Sequence, residues 1–322
     1  MELRHLGESG LVVSVVGLGG NNLGRPGTAA ESQAGARALV SAALDAGITL
    51  FDVADVYGAP RGHSEELLGA ALSGRRDHAV IATKFGVDMQ GASGPDFGAR
   101  GSRRYVKLAA EASLRRLGTD WIDLYQVHRL DPGTPLEETL AGLDDLVRAG
   151  SIRYAGLCNL AAWQLADASW KARTGGLSAP VVAQSQYSLL ERGAEREILP
   201  ACRRFGLSLL PYFPLANGLL TGKYLRGVDP PPGSRLAGRL RLLEEAPWSR
   251  IEKLRAFADE RGISMSTLAI GWLAARPGVG SVIAGATTPE QVTANAVGAG
   301  WQPTTEDLLA IDEICASPPL RI

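Results

Sequence analysis

Four ionisable side chains follow three consecutive apolar runs in the first half of the chain. Asp52 and Tyr57 lie in the run LFDVADVYG, Lys84 ends the run IATK, and His128 ends the run LYQVH. Taken singly, each has an ordinary explanation: a strand-end Asp often forms a turn, a Tyr packs, a Lys is a surface charge, and a lone His is more often a satisfied polar residue than a catalyst. Their occurrence together, at the ends of neighbouring runs, indicates one reactive site.

These side-chain types suit acid catalysis on a carbonyl group. An isolated tyrosine has a pKa near ~10 and is a weak acid at neutral pH. A neighbouring Lys84 ammonium would favour the phenolate, so we expect the pKa of Tyr57 to be lowered by roughly two to three units. Asp52 would keep Lys84 charged and oriented, and His128 would donate a hydrogen bond to the oxygen that Tyr57 protonates. Such a set fits carbonyl reduction, with the hydride coming from a cofactor because no side chain supplies one.

The rest of the chain alternates short apolar runs with longer amphipathic stretches, which predicts strands alternating with helices. The predicted strands are 15–19, 49–52, 79–83, 122–127, 152–157, 181–184, 208–211 and 281–284. The predicted helices are 34–46, 64–72, 103–117, 136–149, 161–174, 195–205, 248–261 and 289–296, with a further pair at 265–275 and 305–316 outside the basic units. A Gly-containing turn between two apolar runs at 4–14 predicts an N-terminal β-hairpin.

Eight strand-then-helix units favour a closed (β/α)8 TIM barrel, in the α/β class, over an open doubly wound sheet. Continuous apolar strands are typical of parallel sheets covered on both faces. We expect one domain over residues 1–322. The run GLGGNNLG at 17–24 is a weak dinucleotide-binding fingerprint, because Asn22 stands at its third glycine position. In a barrel, this loop and the four ionisable residues lie at the strand C-termini, where barrel enzymes carry their sites.

Composition limits the other possibilities. The net charge of −1 gives no reason to expect a nucleic-acid or acidic-membrane partner. Cys158, Cys202 and Cys315 are far apart, which argues against a disulfide framework and a structural zinc site, and the four histidines lack ligand-like spacing, so no metal is expected. Neither a signal peptide nor a membrane-spanning run is visible, so we expect a cytoplasmic protein.

Over nearly its whole length the sequence resembles the aldo-keto reductase superfamily. Asp52 and Tyr57 match the D-x4-Y pattern of that family, and Lys84 and His128 match its catalytic Lys and His in order and context. The runs YFPLANGLLTGKY at 212–224 and GATTPEQV at 285–292 resemble the branch that contains bacterial general reductases and potassium-channel β-subunits.

The resemblance implies reduction of a small-molecule aldehyde or ketone with NADPH. The implied cofactor contacts, with Gly20 and Asn21 of the first barrel loop added, are Asp52, Cys158, Asn159, Gln184, Tyr212, Phe213, Pro214, Leu215, Ala216, Asn217, Gly218, Lys223, Arg235, Gly285, Thr287, Gln291 and Asn295. Among these, Cys158, Asn159 and Gln184 would hold the nicotinamide amide, and Tyr212 would stack on its ring. Lys223 and Arg235 would reach phosphates.

Two departures from the family pattern bear on this assignment. Cys158 replaces a usual Ser, and no Lys or Arg stands near Gly285 and Gln291 to bind a 2′-phosphate. NADH is therefore an alternative cofactor. Two alternative functions are also open: a weakly catalytic NADPH-binding sensor or partner subunit, and a Schiff-base aldolase with Lys84 as nucleophile. Substrate choice is expected to depend on loops 86–102, 188–193 and 217–247, with Trp301 and residues 318–322 either closing the pocket or packing. The sequence does not indicate an oligomeric state.

Overall fold

A computed structural model describes residues 1–316 of the chain. Its ten strands are β1 (Leu3–His5), β2 (Val12–Ser14), β3 (Val16–Gly19), β4 (Leu50–Asp52), β5 (Val80–Phe85), β6 (Ile122–Val127), β7 (Ile152–Cys158), β8 (Val182–Gln186), β9 (Ser208–Tyr212) and β10 (Val282–Gly285). The first two pair antiparallel as a hairpin, and β3 to β10 form a closed parallel barrel in which β10 pairs with both β9 and β3. The predicted barrel and hairpin are confirmed.

Helices follow the strands in the order expected of the barrel. They are α1 (Gln33–Asp45), α2 (His63–Leu72), α3 (Arg103–Leu117), α4 (Leu136–Arg148), α5 (Ala162–Thr174), α6 (Ile198–Phe205), α7 (Leu240–Glu244), α8 (Trp248–Glu260), α9 (Met265–Ala274), α10 (Pro289–Gly298) and α11 (Thr305–Cys315). Ser32, Ser102, Ser264, Thr288 and Thr304 accept a backbone hydrogen bond as N-caps of α1, α3, α9, α10 and α11. These caps satisfy orphan N–H groups and fix where the helices begin.

The N-terminal end of the barrel is filled by apolar side chains. One buried cluster contains inward-facing strand residues and three residues of the hairpin segment, namely Leu50, Ala82, Leu124, Val182, Leu210, Ile283, Leu6, Leu11 and Val13. Gly7 of the hairpin turn lies so close to the carbonyl oxygens of Val181 and Gly206 that an added Cβ would be 2.4 to 2.5 Å from them. The hairpin therefore covers the N-terminal end, and the opposite end is left for a site.

The helices that surround the barrel differ from the prediction in one place. The helix that packs against α10 and β10 is α9, whereas α8 packs outside it against α9 and α11. Eight of the ten α9 residues are buried, from Met265 to Ala274, and a helix enclosed on all sides lacks the polar stripe that marks a surface helix. The prediction that 265–275 lies outside the basic units was therefore wrong, and α8 takes the outer place.

Smaller differences have local causes. The predicted helix 195–205 begins at Ile198, because residues 193–195 form a separate 3-10 turn whose Glu195 binds Arg192 and Arg276. Trp301 packs on the buried core at α9, where its ring meets Gly271, so it does not close the cavity. The tail 318–322, named above as a segment that could close the pocket, lies outside the described residues. Within residues 1–316, every helix is too short or too polar to traverse a bilayer.

Candidate active site

A layer of polar side chains lies directly above the apolar filling of the barrel. Side chains two residues apart on a strand point the same way, so each apolar residue inside the barrel is followed, two positions later, by a residue of the site. The pairs are Leu50 and Asp52, Ala82 and Lys84, Leu124 and Gln126, Val182 and Gln184, and Leu210 and Tyr212. Strand periodicity thus brings residues from five strands to one level.

Asp52 is the centre of this layer. One of its carboxylate oxygens accepts a hydrogen bond from Lys84 Nζ at 2.6 Å, and the other accepts from Gln184 at 2.9 Å and Gln126 at 3.2 Å. Lys84 is fully buried inside β5 and also donates to the carbonyl oxygen of Val53 at 2.8 Å. Burial alone would lower the pKa of Lys84, but the carboxylate of Asp52 outweighs it and the pKa is raised. Lys84 is therefore a fixed cation.

Tyr57 and His128 lie beside that cation. Lys84 Nζ is 5.2 Å from the centroid of the Tyr57 ring, and the Tyr57 and His128 rings meet edge to face with centroids 5.8 Å apart. Burial, helped by the charges of Lys84 and Arg129, lowers the pKa of His128 to about 3. His128 is consequently neutral across the physiological range.

The expected lowering of the Tyr57 pKa is wrong in its net direction. Burial raises the pKa of Tyr57, and the opposing charge of Lys84 offsets only part of that effect because Asp52 partly cancels it. Reasoning from the nearby charges alone gives the wrong direction for the Tyr57 pKa, because desolvation disfavours the phenolate. Tyr57 therefore keeps its proton at neutral pH and can donate it when negative charge develops on a bound molecule.

A cavity of about 840 Å³ opens above the polar layer. Its wall includes Asp52, Tyr57 and His128, and the following predicted cofactor contacts: Gly20, Asn21, Asn159, Gln184, Tyr212, Phe213, Pro214, Leu215, Asn217, Gly218, Lys223, Arg235, Gly285, Thr287, Gln291 and Asn295. Ala216 and Cys158 are outside the wall. The Cys158 thiol is buried and donates to Gln126 Oε1 at 3.5 Å.

Sequence reasoning missed three residues of the site, two in the cavity wall and one beneath it. Arg25 and Arg129 line the cavity, and Gln126 holds Asp52 from below. A signal for Gln126 was present, because it is a polar residue inside an apolar strand, two positions before His128 and so on the same face. Arg25 and Arg129 lie in loops, where no periodicity marks them.

The backbone around the cavity adopts conformations that side chains usually avoid. Six non-glycine residues of the described chain have positive φ, and four of them are Asn159, Phe213, Ala216 and Asn217. Each such residue costs on the order of 1–3 kcal/mol and persists where the surrounding structure imposes it, commonly at binding sites. The segment 213–218, which follows β9, is thus held in an unusual shape against the cavity.

One part of the cavity suits the anionic groups of a dinucleotide. Arg25, Lys223 and Arg235 line it, and none of the three pairs with a carboxylate within residues 1–316. The Nε of Arg235 is buried and lacks a hydrogen-bond partner there. Burial and the charges of Arg25 and Arg239 lower the pKa of Arg235. Clustered, partly buried guanidinium groups without counterions are electrostatically suited to phosphate.

The geometry weighs against other kinds of site. A Schiff-base lysine must be neutral and reachable, whereas Lys84 is charged, fully buried and bound to Asp52. In the part of the chain that the structure describes, no group of three or more His, Cys, Asp or Glu residues is arranged to hold a metal ion. The arrangement is that of a proton donor beside a fixed cation, facing a cavity with an anion-binding end.

Comparison with known proteins gives a consistent result. Residues 15–316 match the model of the aldo/keto reductase family. The chain is 34% identical to L-glyceraldehyde 3-phosphate reductase of Escherichia coli O157:H7, covering 100% of this chain and 94% of that protein. It is 35% identical to a probable voltage-gated potassium channel subunit beta of Oryza sativa subsp. japonica, covering 100% and 98%. It is 36% identical to the uncharacterized oxidoreductase YrpG of Bacillus subtilis, covering 91% and 89%.

The match extends over the whole barrel, and the matched residues include those that carry the resemblance seen in the sequence. The relatives of this chain include a reductase and a probable channel subunit, which agrees with the branch that its sequence was predicted to resemble. The chain belongs to the aldo/keto reductase family, whose members generally use a nicotinamide cofactor, and it is an oxidoreductase.

Proposed function

We propose that this protein reduces an aldehyde or ketone to an alcohol with NADPH, using Tyr57 as the proton donor. The observation that carries the proposal is the contact of Tyr57 with both the Asp52-bound cation Lys84 and the neutral His128, at the wall of the large cavity. A relative whose name states that it reduces an aldehyde supports a carbonyl substrate for this chain as well.

The proposed roles follow from the charges. A reduced nicotinamide, when bound, supplies a hydride to the carbonyl carbon. Neutral His128 donates a hydrogen bond to the carbonyl oxygen, and Tyr57 donates its proton as negative charge builds there. An alkoxide is far more basic than a phenolate, so Tyr57 can serve as the acid even with a raised pKa. Lys84 stabilises the resulting phenolate, and Asp52 with its two glutamine partners keeps Lys84 in place.

NADPH is favoured over NADH by the unpaired cations of the cavity. The 2′-phosphate adds negative charge that NADH lacks, and Arg25, Lys223 and Arg235 are available to bind it. Their positions make up for the missing basic residues near Gly285 and Gln291. Asn159, which donates to the His128 carbonyl and accepts from the Tyr212 hydroxyl, would keep the nicotinamide end of the cavity rigid.

The test compares wild type with Tyr57→Phe in NADPH and NADH titrations and in turnover of a simple aromatic aldehyde. Loss of the general acid should lower kcat by about 10²- to 10⁴-fold and leave the Kd of NADPH unchanged. Tyr154→Phe is the matched control, since Tyr154 packs near the hairpin at the other end of the barrel. It should retain wild-type turnover.

Three outcomes would contradict the proposal in different ways. Undiminished turnover in Tyr57→Phe would show that Tyr57 is not the proton donor. Tight NADPH binding with no wild-type turnover of any carbonyl compound would instead favour the sensor or partner-subunit alternative. Absence of binding to either dinucleotide would overturn the cofactor assignment itself.

A further inference from the structure

A second cavity adjoins the first at the reactive end. Its volume is about 450 Å³, and its wall shares His128 and Arg129 with the large cavity. The remaining wall residues are Val56, Gly86, Val87, Asp88, Arg100, Leu130, Asp131 and Pro132. The second cavity therefore offers space beside His128 for the remaining atoms of a molecule whose carbonyl group lies against His128.

The charged side chains of the second cavity have ion-pair or hydrogen-bond partners, with one exception. Asp88 pairs with Arg100 at 3.4 Å and accepts from the Gln90 backbone at 2.8 Å, and Arg100 also binds Asp96 at 2.6 Å. Asp131 accepts hydrogen bonds from the Thr134 hydroxyl and from two backbone N–H groups, those of Gly101 and Gly133. Its acceptor oxygens are thus turned toward the loop.

The exception is Arg129. Its guanidinium makes no ion pair or side-chain hydrogen bond within residues 1–316, and it is exposed to solvent at the junction of the two cavities. Burial, Lys84 and Arg129 together lower the pKa of His128, and Arg129 also opposes the rise that burial causes in the pKa of Tyr212. Because Arg129 lines both cavities together with His128, it lies at the reactive end of the site.

The cations of the site accordingly fall into two groups. Arg25 and Arg235 both line the large cavity, close enough for their charges to repel each other, and they suit the phosphates of a dinucleotide. The nicotinamide end of a dinucleotide carries no negative charge, so the cofactor gives no reason for a free cation beside His128. A negatively charged group on the substrate would explain why a free cation lies beside His128.

We infer that Arg129 is a specificity-determining residue, and that the natural substrates are short aldehydes or ketones bearing a carboxylate or phosphate group that Arg129 binds in the second cavity. The inference rests on the proposed carbonyl reduction. A guanidinium recognises either oxyanion through paired N–H donors, so the shared chemistry is an anion held a few bonds from the carbonyl group.

The experiment measures NADPH-dependent kcat/KM for two matched pairs of aldehydes. Glycolaldehyde phosphate is compared with glycolaldehyde, and succinic semialdehyde with butanal, so that the first pair tests phosphate and the second tests carboxylate. In wild type, the anionic member of at least one pair should be the better substrate. Arg129→Gln should lower kcat/KM for that member roughly 5- to 30-fold, mainly through KM, since the contact is charge-assisted but exposed.

Matched variants separate this role from a general loss of charge. Arg129→Lys should retain part of the preference, because it keeps the charge but not the paired donors. Arg115→Gln, which removes an exposed arginine outside the walls of both cavities, should behave like wild type. In Arg115→Gln the kcat/KM for neutral aldehydes and the Kd of NADPH should equal those of wild type, whereas in Arg129→Gln the loss of kcat/KM should be larger for the anionic member of the pair than for the neutral member.

The outcomes distinguish this inference from the function on which it rests. If wild type reduces the neutral aldehydes but shows no preference for either anion, only the anion inference is overturned. The same holds if Arg129→Gln slows both members of a pair equally, or weakens NADPH binding instead. If wild type reduces none of the four aldehydes, both proposals are overturned.

Discussion

Asp52 holds three other side chains of the site in place. Its two oxygens bind one cation and two glutamines, all from different strands and all buried. Because removing one partner of a buried pair leaves an uncompensated charge, Asp52 sets both the charge and the position of Lys84. The reactive end of the cavity is therefore rigid at the level of single side chains.

A second buried aspartate in the same segment, Asp55, has no ion-pair partner within residues 1–316, whereas Asp52 pairs with Lys84. Asp55 is fully buried, and its carboxyl oxygens have no side-chain hydrogen-bond partner among residues 1–316. Burial and the nearby charge of Glu65, opposed by Arg116, raise the pKa of Asp55 well above its usual range. The native state thus binds a proton more tightly than the unfolded chain does, and this contribution to stability is lost as pH rises.

We therefore expect Asp55→Asn to change the pH dependence of stability. Above the unfolded pKa of about 4, the wild-type free energy of unfolding should fall with a slope of up to about 1.4 kcal/mol per pH unit from this group. The variant, which has no proton to lose, should gain stability relative to wild type between pH 5 and pH 8, as measured by urea unfolding. Exposed Asp77→Asn is the control. An identical pH dependence in Asp55→Asn and wild type would show that Asp55 does not contribute.

The residues of the site were predictable to different degrees. Asp52, Tyr57, Lys84 and His128 could be identified because chain order fixes which residues follow each strand. The sign of the Tyr57 pKa shift could not, because it depends on how much solvent the folded barrel removes. Arg129 directly follows His128, but the sequence could not show that its guanidinium is free, because this depends on which partners the neighbouring acidic side chains bind in the folded protein.

At the scale of elements, the strands were predicted to within about two residues, while the roles of two helices were exchanged. Amphipathic α8 resembled a ring helix, and α9 gave no clear stripe because it is enclosed on every side. Sequence periodicity indicates whether a helix has a solvent-exposed face. It does not report which of two neighbouring helices lies nearer the barrel.

The close contact of α9 with α10 gives a prediction at this scale. A Cβ added at Gly271 would meet the carbonyl oxygens of Gly298 and Trp301 at 2.9 Å. Alanine normally stabilises a helix interior relative to glycine by about 0.5–1 kcal/mol, but backbone atoms cannot move aside cheaply. We expect Gly271→Ala to lower the free energy of unfolding by about 1–3 kcal/mol.

Thermal or urea unfolding of Gly271→Ala would check this, with Gly238→Ala as control. At Gly238 an added Cβ meets nothing within 4 Å, and its φ lies outside the left-handed region. Equal or greater stability of Gly271→Ala would mean that α9 and α10 can separate without cost, against the packing described above.

At the scale of the whole molecule, cofactor binding should appear as added stability. A ligand that binds only the native state at 100 times its Kd stabilises it by about 2.7 kcal/mol. We expect NADPH to raise Tm by several degrees, and more than NADH does. Arg235→Gln should reduce the rise with NADPH more than the rise with NADH, because it removes a partly buried cation that has no carboxylate partner within residues 1–316.

Arg239→Gln is the matched control for this measurement, since Arg239 is an exposed neighbour outside the cavity wall. It should keep the wild-type difference between the two dinucleotides. Loss of that difference in Arg239→Gln as well, or equal rises with NADPH and NADH in wild type, would remove the argument for NADPH that rests on these cations.

The closure of the barrel also has a consequence for biosynthesis. Residues 16–19 at the start of the chain pair with residues 282–285 near its end. At a translation rate of about 5–20 residues per second, the first barrel strand waits roughly 13 to 53 s for its partner to be synthesised. During that time the nascent chain presents an unpaired strand edge, which invites pairing with other chains. We therefore expect the barrel to close only after residues 282–285 have been synthesised, and we expect newly made chains to be prone to aggregation until then.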